Sequence, residues 1–104
     1  MEKYKVKILK SALIDIEKIY KYIAYDLLSP ESALKITNHI FESISKLQTF
    51  PKKYTVLKFE SKNNQDIRRM NVENYAVFFT IDSNTVKVIS VFYGSSNIDY
   101  LLNK

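Results

Sequence analysis

The stretch Ile67-Arg68-Arg69-Met70-Asn71-Val72-Glu73-Asn74-Tyr75-Ala76-Val77-Phe78-Phe79-Thr80-Ile81-Asp82-Ser83-Asn84, continued by Thr85 to Tyr93, decides the fold. Its pattern has a period of two, the repeat of a strand whose successive side chains leave opposite faces. From Ile67 to Val72, Arg68, Met70 and Val72 share one face, while Ile67, Arg69 and Asn71 share the other. Glu73-Asn74 reads as a two-residue turn, because Asn tolerates the left-handed conformation. Tyr75, Val77, Phe79 and Ile81 then fall on one face of a second strand. Asp82-Ser83-Asn84 turns the chain again. Thr85 to Tyr93 is the most β-prone run of the chain, and Gly94 ends it. Three strands joined this closely form an antiparallel meander.

Upstream, the period lengthens to that of a helix. Ser11 is placed to cap a first helix whose apolar residues Leu13, Ile16, Tyr20, Ile23, Ala24 and Leu27 are spaced by threes and fours. Asp15 and Glu17 sit early in it, where the helix dipole favours anions. Ser29-Pro30, a capping residue followed by proline at the first helical position, opens a second helix. Its stripe is Ala33, Ile36, Ile40, Phe41, Ile44 and Leu47, and it stops before Phe50-Pro51. The short link predicts an antiparallel helical hairpin that buries both stripes. His39 lies off the stripe and is expected in solvent.

Residues 3–9 alternate strictly. Tyr4, Val6 and Ile8 face one way, and Lys3, Lys5 and Lys7 the other, as in a half-buried strand with a lysine-coated face. Such a coat protects an edge strand from self-association, or attracts a polyanion. Val56 to Phe59 reads as a short strand or irregular edge, and Ser61 to Gln65 as a loop. Asn97 to Leu102 reads as a short tail or a turn of helix. The fold class is α+β with the order β-α-α-β-β-β: a helical hairpin packed on one face of a small, mainly antiparallel sheet. The opposite face is expected to display arginine and phenol groups. One domain accounts for residues 1–104.

Composition narrows the function. The 104 residues are 46% hydrophobic and 13% aromatic, too apolar for a disordered chain. There is no cysteine, so no disulfide framework, thiolate metal site or cysteine nucleophile. A single histidine, His39, makes a zinc site or a histidine-based triad unsupported. The lone glycine, Gly94, excludes a phosphate-binding glycine loop. No apolar run reaches the roughly 18 residues of a membrane span. A cytoplasmic protein with no membrane contact, no metal and no cofactor is expected. Sixteen Lys and Arg against eleven Asp and Glu give a net charge of +5. Residues 1–55 hold ten basic and six acidic groups, and residues 56–104 hold six and five, so the excess is N-terminal. That charge favours acidic or polyanionic partners.

Cations and tyrosines remain as candidate chemistry. Arg68 and Arg69 are the only arginines, and as neighbours in a strand they leave opposite faces. If one face packs on helices, one of them reaches the solvent face or snorkels at the rim. Tyr75, Tyr93 and Tyr100 lie in or just after the sheet. An arginine beside phenols can hold a phosphate and stack a base, or the tyrosines can simply fill the core and its rim. The candidate binding set is Arg68, Arg69, Tyr93, Lys52 and Lys53.

The chain also resembles the RelE/ParE superfamily of toxins from bacterial type II toxin–antitoxin modules. The resemblance runs from about Val6 to Leu102. It is carried by Ser11-Ala-Leu-Ile-Asp-Ile-Glu-Lys-Ile-Tyr-Lys-Tyr-Ile23, Ser29-Pro30 through Ala33, and Ile44-Ser-Lys-Leu47 with Phe50-Pro51. It continues in Ile67 through Phe79, Val86 through Gly94, and Leu101-Leu102. It implies growth arrest, a role in plasmid stabilisation, and a cognate antitoxin partner, often an acidic peptide. ParE-like members poison DNA gyrase, whereas RelE-like members cut mRNA in the ribosomal A site. On the second route Arg68 or Arg69 matches the basic position before the central hairpin. Tyr100 matches the late tyrosine, and Tyr93 a position often held by histidine or a basic residue; the catalytic set would be Arg68, Arg69 and Tyr100. Two departures weigh against that route. The family arginine after the hairpin tyrosine is Ala76, and the basic run after the last strand is Gly94-Ser95-Ser96-Asn97. Each lost phosphate-stabilising contact is typically worth about 10² to 10³ in rate. A ParE-like poison is therefore the favoured expectation, with an mRNA endoribonuclease and a non-toxic antitoxin-binding module as alternatives.

Overall fold

A computed structural model describes residues 3–57 and 66–94. Strand β1 (Lys5–Ile8) keeps the alternation of its sequence, with Lys5 and Lys7 exposed and Val6 and Ile8 half-buried. Helix α1 (Lys10–Lys21) follows and passes directly into a π-helical turn, Tyr22–Asp26. Helix α2 (Pro30–Ser45) returns antiparallel and ends in 3₁₀ turns at Lys46–Gln48 and Pro51–Lys53. Strands β2 (Thr55–Val56), β3 (Arg68–Val72), β4 (Tyr75–Asp82) and β5 (Thr85–Tyr93) complete the fold.

The sheet order is β1-β5-β4-β3-β2, so β1 and β2 are its edges. β1 runs parallel to β5, and every other pair is antiparallel. The lysine-coated strand is thus an edge, where its charges oppose pairing with another chain. The expected helical hairpin on one face of a mainly antiparallel sheet is observed. A fifth strand, the two-residue β2, is added where the sequence left a choice between strand and irregular edge.

The main core joins Ala12 and Ile16 of α1 and Ile40 and Ile44 of α2 to Met70, Val72, Val77, Phe79, Val86, Val88 and Val91 of the sheet. The inward stripe of α1 is Ala12, Ile16, Ile19 and Ile23, spaced four, three and four. Leu13 and Leu27, expected inside, are exposed. The π turn explains the later part. Its wider i→i+5 ring rotates the chain, so that consecutive Ile23 and Ala24 are both buried while Leu27 turns outward. In α2, Thr37 takes the inward place predicted for Phe41. Its hydroxyl donates to the Ala33 carbonyl at 2.8 Å, which satisfies a buried polar group within the helix itself.

Neither predicted cap bonds through its side chain. Leu9 occupies the N-cap of α1, and the Ser11 hydroxyl instead donates to the Ile89 carbonyl at 2.6 Å. Ser29 does sit at the N-cap of α2 before Pro30, but only its backbone carbonyl takes part, accepting from the Ala33 N–H at 3.0 Å.

The second sheet face is not a solvated display surface. Ile67, Ala76 and Phe78 are buried there, packed with Leu57, Ile89 and Phe92. Both turns of the meander put the left-handed backbone on their first residue, Glu73 (φ 54°) and Ser83 (φ 60°). Asn74, assigned that role from its side chain, does not carry it. A positive φ at the first central residue belongs to the primed hairpin turns, whose twist suits the strands they join.

Candidate functional site

Strand β5 is longer than its parallel neighbour. β1 ends opposite Val88, whereas β5 continues to Tyr93. The register against β4 shifts between Phe78, opposite Ser90, and Phe79, opposite Val88, which leaves Ile89 as the extra residue of a bulge. The backbone groups beyond β1 need partners, and α1 supplies them. Ser11 takes the Ile89 carbonyl, and Asp15 Oδ2 accepts the Val91 N–H at 3.0 Å. Ser11, Asp15, Lys18 and Tyr22 recur at spacings of four, three and four, so one polar flank of α1 lies along this open edge. Burial raises the Asp15 carboxyl above its ordinary value of 3.8. The Val91 N–H and the Lys18 charge pull it back only in part.

Past Asp15 the edge opens into a groove of about 850 Å³. Its apolar walls come from Ile19, Tyr22, Ile23 and Leu27 on the helical side and Tyr75 and Tyr93 on the sheet. Tyr75 and Tyr93 face each other across β4 and β5, with ring centroids 5.8 Å apart at 80°. Such an edge-to-face pair contributes about 0.5–1.5 kcal/mol beyond the area it buries. Burial, then the neighbouring Tyr93 and Tyr22 phenols, raises the pKa of Tyr75. Glu73 in the β3–β4 turn closes the far side, and its Oε1 lies 3.0 Å from His39 Nδ1 on α2. His39 is exposed, as expected, but it ties helix to turn, which its sequence position did not reveal.

A smaller cavity of about 350 Å³ adjoins the groove and holds Arg69 with Asn71, Tyr93 and Gly94. Arg69 Nε donates to Asn71 Oδ1 at 2.8 Å, and its Nη2 lies 3.4 Å from the Gly94 carbonyl. The guanidinium also lies 5.8 Å from the Phe78 ring centroid. The chain runs close at Gly94: its N–H donates to the Asn74 carbonyl at 2.9 Å, and a Cβ would come within 3.3 Å of that oxygen, a tight contact.

The predicted site residues therefore separate. Arg69 and Tyr93 meet in the small cavity. Arg68 points to the other side of the sheet, where its Nη1 donates to the carbonyls of Lys52 at 3.0 Å and Tyr54 at 2.7 Å. It holds a turn rather than facing Arg69. Lys52 and Lys53 are exposed on that same turn and line neither cavity. The fully buried Ala76 replaces the family arginine inside the second core. Tyr100 and Ser95-Ser96 lie outside the described residues. Sequence reasoning missed the groove and the role of Asp15. The four-three-four polar series from Ser11 to Tyr22 was the signal that could have found them.

The architecture, a two-helix hairpin over a meander completed by a parallel N-terminal strand, is that of the RelE/ParE toxins. Solved structures share it. A chain from the chromosomal ParDE toxin–antitoxin system of P. aeruginosa matches with a TM-score of 0.71 and 21% identity, covering 86% of this chain and 95% of that one. A chain of the RelE–RelB complex of Pyrococcus horikoshii OT3 matches at 0.59 and 18% identity, covering 89% and 97%. One from the RelBE2 complex of Mycobacterium tuberculosis matches at 0.60 and 15%, covering 92% and 97%. No curated protein sequence matches. The family model of the ParE toxin of the type II toxin–antitoxin system, parDE, matches residues 6–98, and the chain belongs to that family.

Proposed function

We propose that this toxin acts as a ParE-like poison of DNA gyrase in the cytoplasm, restrained by a cognate antitoxin. The observation that carries the reading is the division of the two arginines. A ribosome-dependent nuclease needs several cations converging on one scissile phosphate. Here Arg68 is committed to two backbone carbonyls on one side of the sheet, and Arg69 stands on the other. At the position after Tyr75 the buried Ala76 supplies no charge. The family to which the chain belongs supports the same preference.

The antitoxin is assigned to the groove beside Tyr75 and Tyr93. Tyr22, Leu27 and Tyr93 are more than half exposed there, and a contiguous apolar surface of this kind marks a protein interface. Tyr25 and Leu28, also exposed, lie in the adjoining stretch of chain between the two helices. The net charge of +5 suits an acidic partner.

Induction of the toxin without antitoxin tests the reading. Growth arrest with DNA breaks, while pulse-labelled protein synthesis continues, is the expected order of events. Translation that stops first, with new 5′ ends in translated mRNA, would establish the nuclease alternative instead. Induction with no arrest would leave only an antitoxin-binding module.

A further inference from the structure

Phe50 combines two unfavourable backbone features. Its φ of 53° and ψ of 48° place a bulky aromatic in the left-handed region, and the residue before proline belongs in extended backbone. Its side chain is nevertheless 60% exposed. Strain of this sort persists only where the surroundings impose it, and here they are identifiable. Pro51 is fully buried, and the Tyr54 ring packs edge-on against core Phe79 at 6.0 Å. The Phe50 carbonyl accepts the Lys53 N–H at 3.2 Å, and Arg68 clamps the carbonyls of Lys52 and Tyr54. A rigid knuckle results, with an aromatic ring at its tip and exposed Lys52 and Lys53 beside it. From Ser43 to Leu57 the sequence holds three lysines and no carboxylate. The fold alone would be served better by glycine or asparagine at position 50, which accept positive φ with little strain. Phenylalanine there opposes the local conformation, so the reason for it lies outside the folding of the turn.

We propose that Phe50, Lys52 and Lys53 form a nucleic-acid contact in which the Phe50 ring stacks on an unpaired or unstacked base while the lysines neutralise the flanking phosphates. An aromatic face accepts any base, and the lysines supply charge without sequence preference, so the contact is sequence-tolerant. It is separate from both cavities and does not depend on which cellular target the toxin strikes.

Fluorescence anisotropy with labelled oligo(dT), oligo(U) and a DNA duplex of equal length tests it at low salt. The wild type binds a single strand more tightly than the duplex, and the stronger of the two single strands identifies DNA or RNA. Phe50→Asn weakens single-strand binding roughly 5- to 150-fold, the range of one lost base stack. Its thermal midpoint holds or rises as strain is released, and Phe50→Trp retains binding. Lys52→Ala with Lys53→Ala lowers the salt slope by about 1.4, two phosphates' worth for a single strand. Wild-type binding by Phe50→Asn, or no single-strand binding by the wild type, would overturn the proposal. A fall in the thermal midpoint of Phe50→Asn parallel to its lost binding would overturn it too, making Phe50 a structural residue.

Discussion

Asp15 couples helix to sheet through one carboxylate oxygen and one backbone N–H, so its substitutions separate hydrogen bonding from charge. Asp15→Ala strands a partly buried Val91 N–H and should cost about 1–3 kcal/mol, measured by chemical denaturation. Asp15→Asn keeps an acceptor and loses the ionisation. Because the folded-state pKa is raised above 3.8, the folded protein holds this proton longer than the unfolded chain. The resulting stability is complete below that value and is lost as pH rises through the folded pKa. Comparing Tm against pH for the two proteins should show a decline above pH 3.8 in the wild type that Asp15→Asn lacks. The arginines differ in the same way. Arg68→Ala removes two charge-assisted bonds and should cost about 1.5–3 kcal/mol. Arg69→Ala should cost less, since one of its two bonds is long and the other reaches only a side chain two residues away.

Among the elements, the strands with their faces and the two helices were legible, whereas the phase of the first helix and its π turn were not. Alternation in Lys3 to Leu9 and in Ile67 to Tyr93 gave the strands, because half-buried strands need a period of two. Helical spacing and Ser29-Pro30 gave the hairpin. The helix phase escaped because an inward Ala12 is a weaker signal than an outward Leu13, and because no sequence rule announces a π turn. Arg68 and Arg69 were correctly expected on opposite faces, and the adjacency that made them a tempting pair is the reason they cannot act as one. The groove was illegible since it is formed by four separate segments: the end of α1 with its π turn, the start of α2, the β3–β4 turn and the end of β5. The turns offer a clean test. Ser83 occupies a glycine conformation in an exposed hairpin, so Ser83→Gly relieves about 1–2 kcal/mol of left-handed strain against an entropic cost of about 0.5–1. A modest rise in Tm is expected, and a fall would show that the entropic cost outweighs the strain released.

Across the whole molecule, the fold divides its surface by chemistry. The lysine-faced edge strand resists pairing with a second copy, the Tyr-lined groove of about 850 Å³ lies beside β5, and the Phe50 turn leads into edge strand β2. Among the described residues the two guanidinium groups are held apart, which supports the proposal of a target-binding poison over a cationic nuclease centre. The most direct test of that claim is a plasmid cleavage assay with purified toxin and DNA gyrase in the presence of ATP. Linear DNA released by protease treatment, accumulating with toxin and abolished by prior addition of antitoxin, is the predicted result. Unimpaired supercoiling with no linear product at a molar excess of toxin would contradict the account.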